Sequence, residues 1–276
     1  MKKKLSIFSL VLAFILVLSA CASGSGSSSG SSASSSSGTQ KKTLRVVDDA
    51  TYAPFEYMDK GKIVGFDVDI LNALSKETGY KVQLANVGWD PVFVELKNKT
   101  ADMSISAITI NSQRKQTYDF SVPYFLSTNK ILVKKNSNIK SGADLKGKVI
   151  AVQTATTGQA AVEKIVGQNN PNVKKFKTIN LAIMELLNGG ADAVVADNTV
   201  IEEYAKNNPG QNLKVIMDKK AFAPEFYGLM YPKGSNLRSV FDKAINTLYA
   251  NGTYTKIYQK WFKASPDVNE LKAQQK

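Results

Sequence analysis

Residues 104–114 read Ser-Ile-Ser-Ala-Ile-Thr-Ile-Asn-Ser-Gln-Arg, an apolar, β-branched run that breaks abruptly into polar residues. Met103, Ile105, Ala107, Ile108 and Ile110 predict the end of a buried strand. Asn111 and Ser112 are helix-start residues, so a short helix is expected there, with Arg114 in its first turn. A cation is disfavoured at a helix N-terminus, which points to an anion close to Arg114. A guanidinium above a strand end, beside exposed backbone N–H groups and the Thr109 hydroxyl, suits a carboxylate. The alternative is a surface ion pair between Arg114 and Asp119.

Strand and helix signals alternate on both sides of this stretch. Upstream, strands are expected at 44–47 and 81–84, and a helix over 68–78 with Asp67 as its N-cap and Gly79 as its stop. A short helix over 91–97 starts at Pro91 and precedes the strand at 101–106. Downstream, strands at 148–152, 173–176, 191–196 and 213–216 alternate with helices at 158–166, 181–187 and 200–206. Such an order predicts α/β units with mostly parallel sheets. Ala101-Asp102 with Thr109 is echoed by Ala191-Asp192 with Thr199, each after a short helix. Two extended runs, 124–133 and 225–231, carry no helix period, and two helical segments, 237–249 and 254–262, follow the second.

The organisation expected is two lobes, the second inserted into the first. The first lobe takes residues 43–124 and 228–263 and the second 129–222, with hinge strands at 125–128 and 223–227 and a tail at 264–276. Ligands bind beyond the C-terminal ends of parallel strands, so the cleft between the lobes is the expected site.

Residues 1–20 predict a signal peptide: Lys2, Lys3 and Lys4, then an apolar run from Leu5 to Leu18, then Ser19-Ala20 before Cys21. That order is the pattern of a bacterial lipoprotein cut before a lipidated Cys21. The alternative, a permanent anchor, needs about 20 apolar residues, and this run has 14. Cys21 is the only cysteine, so no intrachain disulfide can form. Residues 21–42 are dominated by Ser and Gly and predict a flexible tether, of at most about 3.5 Å per residue.

The formal charge is +13, and removing the three lysines of residues 1–20 leaves +10. The lysines are scattered rather than clustered with aromatics, which argues against a nucleic-acid surface. There is no histidine, which excludes Ser-His-Asp and Cys-His catalysis and histidine-containing metal sites.

Several motifs in order resemble the solute-binding lipoproteins of ABC importers, in the polar amino-acid class. They are Asp49-Ala-Thr-Tyr-Ala-Pro-Phe-Glu-Tyr57, Gly65-Phe-Asp-Val-Asp69, Ser106-Ala-Ile-Thr109 with Arg114, Thr156-Thr-Gly158, Ala191-Asp-Ala-Val194, and Asn251-Gly-Thr-Tyr254 with Trp261-Phe262. Arginine binders of Gram-positive bacteria also share Tyr-Met-Asp-Lys-Gly-Lys at 57–62 and Ala-Thr-Thr-Gly-Gln at 155–159. The resemblance implies the two-lobed periplasmic-binding-protein type II fold, α/β, with two mixed, mostly parallel sheets joined by two crossover strands. It implies an extracytoplasmic receptor, lipid-anchored to the outer face of the cell membrane, that delivers an amino acid to a permease powered by a cytoplasmic ATPase. A monomer with no cofactor, metal or covalent chemistry is expected.

The resemblance also implies roles. Arg114 grips the ligand α-carboxylate, with backbone N–H groups at Thr109 and Gly158. Asp197 takes the α-ammonium, helped by Thr109 and a carbonyl near Ala107; Ser106 lies in the same segment. Tyr52 and Trp89 clamp the side chain, and aromatic faces attract cations. Asp49 faces the far end of the ligand. The glutamine-binding branch has a lysine where this chain has Gln153 and a histidine where it has Ala196, so both departures favour a cationic ligand, arginine first and then lysine, ornithine or histidine. Glu56 can add charge at the same end. Simpler roles compete: helix caps for Thr157 and Asp197, core aromatics for Tyr52 and Trp89, and a surface position for Glu56. The rival functions are a receptor for glutamine or another neutral polar amino acid, a cleft enzyme such as a dehydratase, and the sensor half of a signalling protein.

Overall fold

A computed structural model describes residues 43–275; the signal segment, Cys21 and the tether lie outside the described residues. The described chain opens with β1 (Leu44–Asp48). It then passes through a small antiparallel sheet of β2 (Thr51–Tyr52), β3 (Glu56–Asp59) and β4 (Lys62–Val64) into helix α1 (Phe66–Thr78). Strand β5 (Val82–Asn86), helix α2 (Trp89–Lys97), β6 (Met103–Ser104), α3 (Ser112–Thr117) and β7 (Tyr118–Phe120) follow. The long strand β8 (Phe125–Lys134) leads into β9 (Ile150–Gln153), α4 (Thr157–Val166), β10 (Val173–Phe176) and α5 (Ile179–Leu187). Next come β11 (Ala193–Asp197), α6 (Asn198–Asn207), β12 (Leu213–Ile216), β13 (Pro224–Tyr227) and β14 (Met230–Pro232). Helices α7 (Leu237–Ala250), α8 (Thr253–Phe262) and α9 (Val268–Ala273) end the chain.

Two mixed sheets carry the two lobes. The first has the order β5-β1-β6-β14-β7, with β5, β1 and β6 parallel and β14 antiparallel to its neighbours. The second has the order β10-β9-β11-β8-β12, with β10, β9 and β11 parallel and β8 antiparallel. Strand β11, Ala-Val-Val-Ala-Asp, is buried at every position. Such a continuous apolar run suits a strand covered on both faces. Between the sheets, β13 pairs antiparallel with the first four residues of β8, Tyr227 against Phe125 through Pro224 against Thr128. An aromatic core backs these crossovers: Phe55 and Phe125 lie 4.8 Å apart, Phe66 and Phe262 5.0 Å, and Phe125 and Tyr227 5.4 Å.

Four local expectations change. Helix α1 starts at Phe66 with Gly65 at the cap position, so Asp67 is not the N-cap; it lies buried in the first turn. Gly65 is required there, because its φ is +145° and a Cβ would sit 1.9 Å from the Phe55 carbonyl oxygen. Helix α2 starts at Trp89 rather than Pro91, so Trp89 is its first residue. Strand β6 is only two residues long, and residues 105–110 run as irregular chain instead of extending it. The segment treated as a tail contains α9, whose Leu271 is 2% exposed and joins the core.

Candidate functional site

Chain leaving the C-terminal ends of β1, β6, β9 and β11 converges on one cavity between the lobes. Asp49 follows β1, and Ser106, Ala107 and Thr109 follow β6. Gln153 ends β9 with Thr156 and Thr157 beyond it, and Asp197 ends β11. With Tyr52, Glu56, Trp89 and Arg114 they line about 320 Å³ of space, part of it open to solvent. Every residue expected to bind ligand lines this cavity except Gly158. That glycine sits one residue further into α4, where a Cβ would meet the Val195 carbonyl oxygen at 2.9 Å and Asn129 Oδ1 at 3.0 Å. Its N–H and that of Thr157 have no intrahelical acceptor, since they open the helix. Thr156, not Thr157, caps α4 by accepting from Gln159 N.

Arg114 is placed by its helix start: Asn111 Oδ1 accepts from Arg114 N at 2.8 Å. The surface ion pair with Asp119 does not form, because Asp119 meets Lys233 at 2.9 Å and accepts from Gly234 N at 2.7 Å. The guanidinium donates to the carbonyls of Thr109 at 2.9 Å and Ala155 at 3.2 Å. It lies 5.5 Å from the Trp89 ring centroid and 5.3 Å from that of Phe93. A guanidinium has five N–H donors, so three are left for a ligand. Burial lowers the Arg114 pKa, while Glu225 and Asp197 raise it; the group stays charged.

Asp197 occupies the N-cap position of α6 but makes no capping hydrogen bond. Its Oδ2 accepts instead from the phenols of Tyr52 and Tyr227, each at 2.7 Å. Burial and nearby Glu225 push its pKa up to about 7, against the lowering effect of Tyr227, Tyr52 and Arg114.

At the other end, Gln153 Nε2 donates to Asp49 Oδ2 at 3.1 Å and to the Lys177 carbonyl at 3.2 Å. Ser106 Oγ accepts from Asp49 N at 3.0 Å and donates to Glu56 Oε1 at 2.8 Å. Glu56 is 1% exposed, so its surface role is excluded. Ala107 adopts a φ of +47°, uncommon for a residue with a Cβ. Its N–H donates to Asp67 Oδ2 at 2.8 Å, and the Tyr124 hydroxyl donates to the same oxygen at 2.7 Å. Asp48 is buried with neither carboxyl oxygen hydrogen-bonded. Burial raises all these acids, Asp48 to about 7 and Asp67 to about 6, with Asp49 and Glu56 also shifted upward.

These shifts set an expected pH dependence of stability. An acid whose folded pKa is raised holds its proton more tightly folded than unfolded, so its contribution is present below about pH 4 and is lost as pH rises through the folded value. The acids shifted downward, Asp119, Asp144, Glu163 and Asp218, lose stability only in the acid range below about pH 4. The unliganded protein should therefore melt at a higher temperature at pH 5 than at pH 7.5. A melting temperature that rises steadily over that interval would contradict the buried-acid assignment.

The lobes meet around the cavity through Tyr52 and Asp197, Gln153 and Asp49, Arg114 and Ala155, and Asn180 Nδ2 with the Thr51 carbonyl at 3.2 Å. Among the described residues no cluster of acidic, His or Cys side chains could hold a metal ion, and no helix is long and apolar enough to cross a membrane. Residues 44–264 match the family model described as bacterial extracellular solute-binding proteins, family 3. The chain belongs to this family. A probable histidine-binding protein of Neisseria gonorrhoeae is 40% identical over 224 residues, 80% of this chain and 83% of that protein. The arginine-, lysine-, histidine-binding protein ArtJ of Geobacillus stearothermophilus superposes with a TM-score of 0.82 at 55% identity, covering 83% of this chain and 99% of that one. An ancestral arginine-binding protein bound to glutamine gives a TM-score of 0.75 at 40% identity, covering 80% and 98%. Solute-binding proteins of this family serve transporters, and the two-lobed α/β fold is the one expected for them.

Within this family-3 site, three residues carry more than the sequence reading assigned. Glu56 and Thr156 line the cavity. Glu225, on crossover strand β13, accepts hydrogen bonds from Thr109, Thr157 and Asn129. The position of Glu56 inside the motif Asp49–Tyr57 was a usable signal. Glu225 had none, because only the pairing of β13 with β8 brings it to the cleft.

Proposed function

We propose that this protein is the extracytoplasmic receptor for a basic L-amino acid, arginine first and then lysine, ornithine or histidine, feeding an ABC importer. One observation carries the choice of ligand charge. Three carboxyl groups line the cavity, Asp49, Glu56 and Asp197, against the single cation Arg114, and Gln153 rather than a cation meets Asp49. Arg114 and Asp197 match the α-carboxylate and α-ammonium common to all amino acids. Asp49 is then left to face a cationic side chain between Tyr52 and Trp89, whose ring faces add about 0.5–2 kcal/mol each. Glu56, whose pKa burial pushes well up, lines the same end as a polar neighbour rather than a second charge. The names of the Neisseria and Geobacillus relatives support the same class. The glutamine-bound ancestral protein makes glutamine the competitor to exclude. Binding is followed by transport rather than by a covalent step.

A thermal-shift panel of arginine, lysine, ornithine, histidine, glutamine and cystine tests the ligand class. A ligand at 100 times its dissociation constant stabilises by about 2.7 kcal/mol, so the basic members should give the largest shifts. Closure is proposed to bend the chain at 125–128 and 223–227, the hinge of a two-lobed clamp.

Affinity should depend on pH through Asp197. The carboxylate must be charged to accept the ammonium, and its unliganded pKa is about 7. Binding then releases a proton below that value, and the dissociation constant should rise by up to about tenfold per unit as pH falls from 7 towards 5. Calorimetry at pH 5, 6 and 8 measures it; a constant affinity across that range would remove Asp197 from the ammonium site.

Anchoring is proposed to run through a lipid on Cys21. Stable attachment needs more than one acyl chain. Cys21→Ser should leave ligand binding intact and move the protein from the membrane fraction to the soluble one. A mutant that still sediments with membranes and is released only by detergent would favour an uncleaved anchor.

A further inference from the structure

Glu225 does not line the cavity, yet it accepts from two of the three threonines that do, Thr109 and Thr157. It lies on β13 opposite Ser127 of β8, in the crossover between the lobes. The segment after β6 runs beside it: Thr109 bridges to Tyr227, and Ile110 N donates to the Phe226 carbonyl at 2.8 Å. Its Oε2 accepts from Thr109 Oγ1 at 2.8 Å and from Thr157 Oγ1 at 2.7 Å, and its Oε1 from Asn129 Nδ2 at 2.8 Å. Thr109 comes from the first lobe, Thr157 and Asn129 from the second.

A hydroxyl carries one proton. Both threonine protons are given to the same carboxylate oxygen, so each hydroxyl oxygen can offer the cavity only lone pairs. An oxygen in that state accepts from a cation and cannot donate to an anion. We propose that Glu225 is a positioning residue for amino-acid recognition: it commits the Thr109 hydroxyl as an acceptor for the ligand α-ammonium and so helps the site select α-amino acids over acids that lack that group. The proposal rests on the amino-acid reading above and deepens it. The division of labour at Thr109 follows. Its carbonyl accepts from Arg114 Nη1, the group assigned to the ligand carboxylate, while its hydroxyl faces the ammonium together with Asp197.

Glutamine at position 225 keeps the shape and reverses the polarity. Asn129 Nδ2 still donates to the amide oxygen, so the amide nitrogen turns to the two threonines and donates to their oxygens. Their protons are then freed to point into the cavity, where they oppose an ammonium.

The test compares L-arginine with 5-guanidinopentanoic acid, the same molecule without its α-ammonium, on the wild type, Glu225→Gln and Thr109→Val. The quantity read is the ratio of the two dissociation constants, obtained by competition calorimetry. Glu225→Gln and Thr109→Val should each reduce the preference for L-arginine by about tenfold or more. If Glu225→Gln weakens both ligands equally, the residue is only a structural tie and the proposal is overturned. A wild-type ratio in Thr109→Val overturns it as well, and that variant carries the test if Glu225→Gln fails to fold. Should the wild type prefer glutamine, the basic-ligand reading fails separately. The same ratio is then read with L-glutamine and 5-amino-5-oxopentanoic acid.

Discussion

Arg114→Ala is expected to remove amino-acid binding while leaving the fold standing. The guanidinium lies against the Trp89 and Phe93 rings, which pack on each other, and bridges the lobes through the carbonyls of Thr109 and Ala155. A bound carboxylate in this cavity has no other cationic side chain to meet among the lining residues. Removing one partner of a desolvated charge pair costs about 2–5 kcal/mol, which is roughly thirtyfold to several thousandfold in affinity. The side chain belongs to a six-residue helix without a buried residue, so its loss should cost the unliganded fold little. Calorimetry showing near wild-type affinity, with an unchanged unliganded melting curve, would end the carboxylate assignment.

Gln153→Lys should have the second largest effect. Gln153 Nε2 already donates to Asp49 Oδ2 at 3.1 Å across the cleft. A lysine there would pair with Asp49 and cancel the charge that a cationic side chain needs, then repel that side chain directly. Like charges juxtaposed in a desolvated site cost several kcal/mol. Arginine should therefore weaken by at least about tenfold, while glutamine, whose amide oxygen can accept from the new ammonium, should weaken less or gain. Long-range attraction cannot supply the selectivity. Residues 21–276 carry a formal charge of +10, from +13 less the three lysines of residues 1–20, and fields are screened over about 8–10 Å. Unchanged arginine affinity in the mutant would mean that Gln153 does not face the ligand side chain.

Much of the fold was legible because its signals are periodic. The alternation of apolar runs and amphipathic segments identified β1, β9, β11 and the helices between them, and long β-rich runs marked β8 and β13. The departures have local causes. Asp67 had the composition of an N-cap, but the helix is entered at Gly65 and the acid turns inward to the Ala107 N–H and Tyr124. The small sheet of β2, β3 and β4 has strands of two to four residues, too short for a periodic pattern to stand out.

The site was legible to a different degree. Arg114 could be reasoned from a cation in the first turn of an expected helix, whereas the role of Asp197 came only through the family resemblance, since its place at a strand end equally suits a helix cap. Glu225 could not, because Thr109 lies 116 residues before it and Thr157 68 before it. Chemistry that depends on which hydroxyl gives its proton to which carboxylate appears only when strands β8 and β13 are paired. The burial of Asp48, Glu56 and Asp67 was not legible either, and it is burial that moves their pKa values upward.

The central claim is that the cavity takes a basic L-amino acid by matching its two α-groups and then its cationic side chain. Isothermal titration of the ligand-free protein with L-arginine, and then with L-glutamine under the same buffer and salt, tests it most directly. One site per chain is expected, with arginine at least about tenfold tighter than glutamine, a difference of about 1.4 kcal/mol. Glutamine binding as tightly as arginine, or no heat of binding with arginine at all, would contradict it.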